Sequence, residues 1–412
     1  MGLAKNEGER AAARGYSSFD EFGQAVCPHH VDDAVLKQRI SLYASEAKCS
    51  YCDRRGSDED PIAAPFDDFM DCFMVGVRQR FARADDEAVL FEDGDYVGAT
   101  TYSSGEVAEE IFDEALDDYP DDVQIELLTH IQSVMLEDAW VRHDWQWLSE
   151  DKRLSYSWDE FKDLVKHHTR FLFMGWPKRH EYDPDELSPV EFFEALVALI
   201  VDLNLIGTVD GPLFRGRMFT LEPNVADHSA STLGPAPADV ATANRMSPAG
   251  ISMFYGASDN ATAVAEIGVH SSDSWAVVGE FTAARELRVV DLSTLPDLPS
   301  IFDDDERAQS TYHSILFLRQ FVRDLTLPVV LDGREHIDYV PTQVLTEYLR
   351  YSFPFRIDGL KFPSAHGHGH NFVIFYGQDF CSSPDEVGEY TRLILDPEKI
   401  RKYRVTTTIK DI

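Results

Sequence analysis

A chain of 412 residues is longer than one ordinary hydrophobic core organises, so two or three domains are expected, and its 44% apolar and 12% aromatic content is enough to fill them. That composition excludes a disordered chain. Seventy-three acidic residues against 37 basic ones give a formal charge of -36, a field that repels phosphate backbones and anionic lipid heads, so neither nucleic acid nor a membrane is expected as a partner.

An anionic substrate would need a local basic pocket in such a chain. No run of about 18 apolar residues occurs, and Met1–Arg10 lacks the apolar stretch of a secretory signal, so a cytoplasmic protein is expected. Five cysteines, an odd number mostly near the N-terminus, fit a reducing compartment better than a disulfide framework.

The first chemical motif is Cys27-Pro28-His29-His30 followed by Cys49-Ser50-Tyr51-Cys52. Thiolates and an imidazole at these spacings are the two halves of a tetrahedral zinc site, with Cys27, His30, Cys49 and Cys52 as ligands and His29 as the alternative to His30. All four places are filled and none is open to water, so a structural zinc is expected. Residues 32–42 between the halves read as a short amphipathic helix, and 1–60 as a zinc-knuckle segment.

From Pro61 the apolar residues Phe66, Phe69, Met70, Phe73, Met74 and Val77 recur at helical spacing. The spans 121–140, 158–173 and 189–203 repeat it, with Ser103, Ser157 and Ser188 as N-cap candidates. A mainly helical domain over 61–205 is expected. Its tryptophans at 140, 145, 147, 158 and 176 read as core. Helical ribonucleases of the HEPN kind use an arginine followed four to six residues later by a histidine. The match at Arg307–His313 lies outside this helical segment and is read as chance.

After Leu205 the composition shifts to short β-type runs with Gly and Pro between them, at 253–255, 275–281, 287–291, 359–362, 371–376 and 403–408. Helical patterns at 261–269, 312–325 and 341–351 sit among them, so residues 206–412 form a mixed α+β domain. Residues 220–243, rich in Ala, Pro, Ser and Asp, read as a mobile loop able to cover a site. Polar residues stand at the edges of the apolar runs: Arg215, Arg217, Arg245, Tyr255 and Glu266. A surface ion pair is the expected fate of Arg217. His366-Gly367-His368-Gly369-His370 reads as a flexible loop beside the site that gates it, and not as a metal site.

Leu213-Phe214-Arg215, Arg245 with Gly250, Phe254-Tyr255 with Ala263-Val264-Ala265-Glu266, Phe362-Pro363-Ser364, and Asn371-Phe372-Val373-Ile374-Phe375 occur in that order. In this combination the C-terminal half resembles the RES family, which includes NAD-destroying toxins of bacterial toxin-antitoxin pairs and has a fold related to ADP-ribosyltransferases. The front half resembles the zinc-bearing helical domain of some longer RES proteins. The family commonly has Gly-Arg-Trp where this chain has Asn244-Arg245-Met246.

The resemblance implies an NAD glycohydrolase or phosphorylase with NAD as substrate. It also implies a restraining partner, an antitoxin or regulatory protein, and leaves room for a homo-oligomer. Breaking the nicotinamide–ribose bond builds oxocarbenium charge that a carboxylate stabilises, the role expected of Glu266. Arg215 and Arg245 are expected to hold the diphosphate, Tyr255 to keep nicotinamide in line, and Ser364 and Asn371 to contact the dinucleotide. Two alternatives share the pocket: a protein ADP-ribosyltransferase, and a non-catalytic nucleotide-binding sensor.

Overall fold

The computed structural model describes residues 10–18, 23–178, 183–269, 271–327 and 333–406. They form two compact units, one of the residues up to Glu150 with Leu298–His313, the other of Asp151–Asp297 with Ser314 onward. The architecture is mixed α+β, and none of the helices is long and apolar enough to cross a membrane among the described residues.

In the first unit, α1 (Ala34–Leu42) starts where the Asp33 side chain accepts from the Leu36 N–H. α2 (Phe66–Arg80) follows, burying Phe66, Phe69, Met70, Phe73 and Val77, the helical stripe of the sequence. α3 (Ser104–Asp113) and α4 (Asp122–Val134) each begin with a capping box, Ser103 with Glu106 and Asp121 with Gln124. Their apolar faces share one core with Phe302, whose ring leaves no room for a Cβ at Gly76. α4 ends at Val134, short of the expected 140, because Ala139–Arg142 is drawn into a strand against Phe81–Arg83 and Trp140 donates to Ser104 at 2.9 Å.

The second unit contains α5 (Glu150–Asp163), α6 (Pro189–Asp202), α7 (Asn260–Gly268), α8 (Glu306–Thr326) and α9 (Val340–Tyr351), the first turns of α8 belonging to the first unit. Ser188 caps α6 with Glu191. Ser157, expected as a cap, instead sits inside α5 and donates to the carbonyl of Arg153 one turn back. Trp158 stacks on Phe161 and Phe192 in the core, and Trp140 is buried in the first unit. Trp147 and Trp176, however, stay 56% and 41% exposed, so helical spacing did not make every tryptophan core.

Nine strands make one sheet: β1 (Ile206–Thr208), β2 (Leu213–Phe219), β3 (Phe254–Ala257), β4 (Trp275–Ala283), β5 (Arg288–Asp291), β6 (Gly359–Pro363), β7 (His370–Ile374), β8 (Cys381–Ser382) and β9 (Leu393–Arg404). Their order is β8-β9-β4-β2-β3-β7-β6-β5-β1, antiparallel except for β8 with β9 and β5 with β6. β9 starts ten residues before the expected strand at 403, and residues 407 and 408 of that expectation lie outside the described residues. α7 packs on β2 at Gly216, where a Cβ would stand 2.7 Å from the Ile267 side chain.

Candidate active site

β2 and β3 pair through a single position, Ala257 opposite Phe214. Along the residues where they part runs a cleft of about 510 Å³, within the range of small-molecule sites. Arg215, Arg217, Arg245, Tyr255, Glu266 and Asn371 line it. Among its described lining residues Glu266 is the single carboxylate against three guanidinium groups, inside a chain of net charge -36.

Helix geometry delivers the carboxylate. Asp259 caps α7 by accepting from the Thr262 N–H, and Ala263, Glu266 and Ile267, three and four apart, face the cleft together. Oε1 of Glu266 accepts the Ser364 hydroxyl and, at 2.7 Å, the Asn371 amide. Both donors come from the β6–β7 end of the sheet, where Phe362 stands opposite Asn371. Ser364 itself is not among the described lining residues, although its neighbours Pro363 and Ala365 are.

Arg215 spans the strand gap. Its Nη1 donates to the Tyr255 carbonyl at 2.7 Å and its Nε to the Leu233 carbonyl at 3.0 Å. Arg217, expected in a surface ion pair, instead donates to the Gly234 carbonyl at 3.0 Å, and neither arginine has an ion pair among the described residues. The Tyr255 hydroxyl meets Ser247 at 2.8 Å, and burial pushes its pKa up to about 12, so it remains a neutral phenol at neutral pH.

Arg245 is placed by its backbone and by its guanidinium, which donates to the Leu327 carbonyl. The Thr342 hydroxyl donates to its carbonyl, and Gln343 donates to the carbonyls of Asn244 at 2.8 Å and Ser247 at 3.2 Å, so α9 clamps the turn that carries it. Burial lowers its pKa from the ordinary arginine value. Ser247, Thr342 and Gln343 were not legible as site residues. Threonine and glutamine on a helix carry no signal of a partner nearly a hundred residues away.

Two loops differ from expectation. Residues 220–243 contain a helical turn at Ala230–Leu233 and are tied to the wall by Arg215, Arg217 and the bond from Ser252 to the Ala236 carbonyl at 2.5 Å. They are anchored where a mobile cover was expected, because the site arginines need carbonyl acceptors.

The His366–His370 loop is pinned rather than flexible: Gly369 N–H donates to Thr262 at 3.1 Å and His370 N–H to Ser258 at 2.9 Å. Its glycines serve close approach, since a Cβ at Gly369 would lie 2.2 Å from the Asp259 carboxylate.

Burial, and then the neighbouring charge of Arg217, pull the Arg215 pKa from 12.5 down to about 10. The charged form is therefore disfavoured by folding. Its cost is present at neutral pH and is relieved only as pH rises through about 10 toward 12.5. An anion seated on the guanidinium would relieve the same cost at neutral pH. Pyrophosphate is accordingly expected to raise Tm at pH 7 in differential scanning fluorimetry, and to raise it less in Arg215→Ala; equal shifts in both would remove Arg215 from the anion site.

In the first unit, ligand atoms of Cys27, His30, Cys49 and Cys52 all lie within 4.8 Å of one another. Cys27 and Cys52 sulfurs are 3.7 Å apart, close to the roughly 3.8 Å edge of a tetrahedron with zinc–sulfur bonds of about 2.3 Å. Nε2 of His30 meets the Cys49 sulfur at 3.3 Å, while His29 is exposed. Hydrogen bonding from Cys27 holds the Cys49 thiol well below the usual thiol range, with its own burial opposing. Three soft thiols and one imidazole gathered in this way fit a structural zinc.

Residues 43–178 match the family model described as HEPN/RES N-terminal domain 1, and residues 222–396 match the one described as RES domain. Arg245, Tyr255, Glu266, Ser364 and Asn371 fall inside the second match, and Arg215 lies just ahead of it. No curated protein matches the chain. Among solved structures, the chain is similar to one in the M. tuberculosis MbcT-MbcA toxin-antitoxin complex, at 13% identity and a TM-score of 0.27, over 52% of this chain and 93% of that one.

Proposed function

Because residues 43–178 match the HEPN/RES N-terminal domain 1 and residues 222–396 match the RES domain, we propose that the chain acts on NAD and cleaves its nicotinamide–ribose bond in the cleft between β2 and β3. The observation that carries this reading is the inversion of charge: three guanidinium groups and one carboxylate in a cleft of a strongly acidic chain. A dinucleotide's diphosphate asks for planar cations, and its reacting ribose asks for one anion.

In this reading Arg215 and Arg217 face the diphosphate from the β2 wall and Arg245 from the opposite turn. The bond between the anomeric carbon and the pyridinium nitrogen breaks, and its electron pair leaves with nicotinamide. Glu266 stabilises the oxocarbenium ion left on the ribose. Water or phosphate then bonds to the anomeric carbon, an attacking water losing its proton, to give ADP-ribose or its 1-phosphate. Tyr255, held neutral and hydrogen-bonded to Ser247, offers a ring edge and a hydroxyl to the nicotinamide side.

A chain with this activity acts as a toxin, and the partner proposed to restrain it is a protein that plugs the cleft. The four ligands of the first unit are proposed to hold a structural zinc.

Incubation of the purified full chain with NAD, with and without phosphate, tests the reading. Nicotinamide release without any acceptor protein is the expected result, and dependence on phosphate names the acceptor. A chain that binds NAD and releases no nicotinamide would sink it. Arg215→Ala should weaken NAD binding by roughly 10- to 100-fold, the ~1.5–3 kcal/mol of hydrogen bonds to a charged group, as read by calorimetry. Unchanged affinity would take this arginine out of the diphosphate site.

A further inference from the structure

The two oxygens of Glu266 are used unequally. Oε1 receives both the Ser364 hydroxyl and the Asn371 amide. Ser364 in turn accepts backbone N–H groups from His366 at 3.1 Å and Gly367 at 2.9 Å. A hydroxyl has two lone pairs and one proton. With both lone pairs met by N–H donors, the proton has one direction left, and Oε1 lies along it.

We propose that Ser364 and Asn371 are positioning residues that saturate Oε1 of Glu266, so that Oε2 is the oxygen presented to the ribose. The role of the His366–His370 loop is then to aim the Ser364 proton. This rests on the NAD-cleaving reading of the cleft, and it replaces the expectation that these two side chains grip the dinucleotide.

The loop is built for that role. Ser364 N–H donates to the Gly369 carbonyl at 3.1 Å, closing the turn on itself. Gly369 and His370 tie it to Thr262 and Ser258 at the start of α7, the helix that carries Glu266. A Cβ at Gly367 would stand 2.7 Å from the Thr262 hydroxyl, so the turn sits against the helix with no space for a side chain. The turn that carries Ser364 is therefore tied to the helix that carries Glu266. A carboxylate fixed in plane keeps its free oxygen where positive charge develops, without reorganising at the moment of bond breaking.

The test is steady-state nicotinamide release by the full chain carrying Ser364→Ala, Ser364→Thr or Asn371→Ala. Ser364→Ala should lower kcat roughly 10²-fold, the cost of a misplaced reacting group, with KM for NAD and Tm nearly unchanged. Ser364→Thr, which keeps the hydroxyl, should recover most of the rate, and Asn371→Ala should repeat the kcat pattern.

A rise in KM with kcat held would mean that Ser364 grips NAD, and would overturn the inference. Loss of rate in proportion to lost folded protein, with no rescue by threonine, would overturn it as well. A wild-type chain that releases no nicotinamide would overturn the reading of the cleft and this inference together, whereas an active wild type with a KM effect overturns only the inference.

Discussion

Glu266→Gln is expected to lower nicotinamide release by about 10³-fold, the upper cost of removing one group that stabilises developing charge, while Tm stays within about 2 °C of wild type. The stability half of this follows from the hydrogen bonds. Ser364 and Asn371 both donate to Oε1, and the amide oxygen of glutamine can take that place with nearly the same shape. What the amide cannot supply is negative charge on the side facing the ribose. NAD binding should persist, because the three guanidinium groups that line the cleft, proposed to hold the diphosphate, are untouched. A variant as active as wild type would mean that the reaction does not use this carboxylate.

Cys49→Ser is expected to give the largest loss of stability. Cys27 and Cys49 are fully buried in the same core as Leu36, Ile40 and Phe69, so their thiols are part of the first unit's interior. If the four ligands hold zinc, metal binding is folding free energy, on the order of 10 kcal/mol in structural sites. The wild-type chain should carry one zinc by elemental analysis. The variant should carry none and melt at least about 10 °C lower, and a strong chelator should bring wild type toward the same melt. A wild-type chain purified without metal, with a melt insensitive to chelator, would refute the zinc site.

The metal-ligand spacing, the capping boxes of α3, α4 and α6, the stripe of α2 and the mixed character of the C-terminal half were all legible, because each is a relation between residues a few positions apart. So were the arginines, tyrosine and glutamate that the cleft gathers: they stand at the ends of apolar runs, where a core has no use for them. The length of α4 was misread because Trp140 and Val141 fit a helical stripe and a short strand equally well, and pairing with Phe81–Arg83 chose the strand. The loop 366–370 was misread because glycine suggests freedom. Here it marks two places where the backbone touches Thr262 and Asp259.

By itself, then, the sequence determined which residues were available for chemistry: a soft four-ligand set near the front and a short list of cations and one carboxylate in the last half. Only the tertiary structure decided how they are used. It parted β2 from β3 beyond Ala257, tied the turn that carries Arg245 to α9 through Thr342 and Gln343, and set the Ser364 hydroxyl against Oε1 of Glu266. The physical reason is range: helical and strand periods, caps and ligand spacings act over a few residues. A hydrogen bond from Ser364 to Glu266 joins positions 98 apart, and the packing of α7 on the sheet in which β6 ends at Pro363 brings them together.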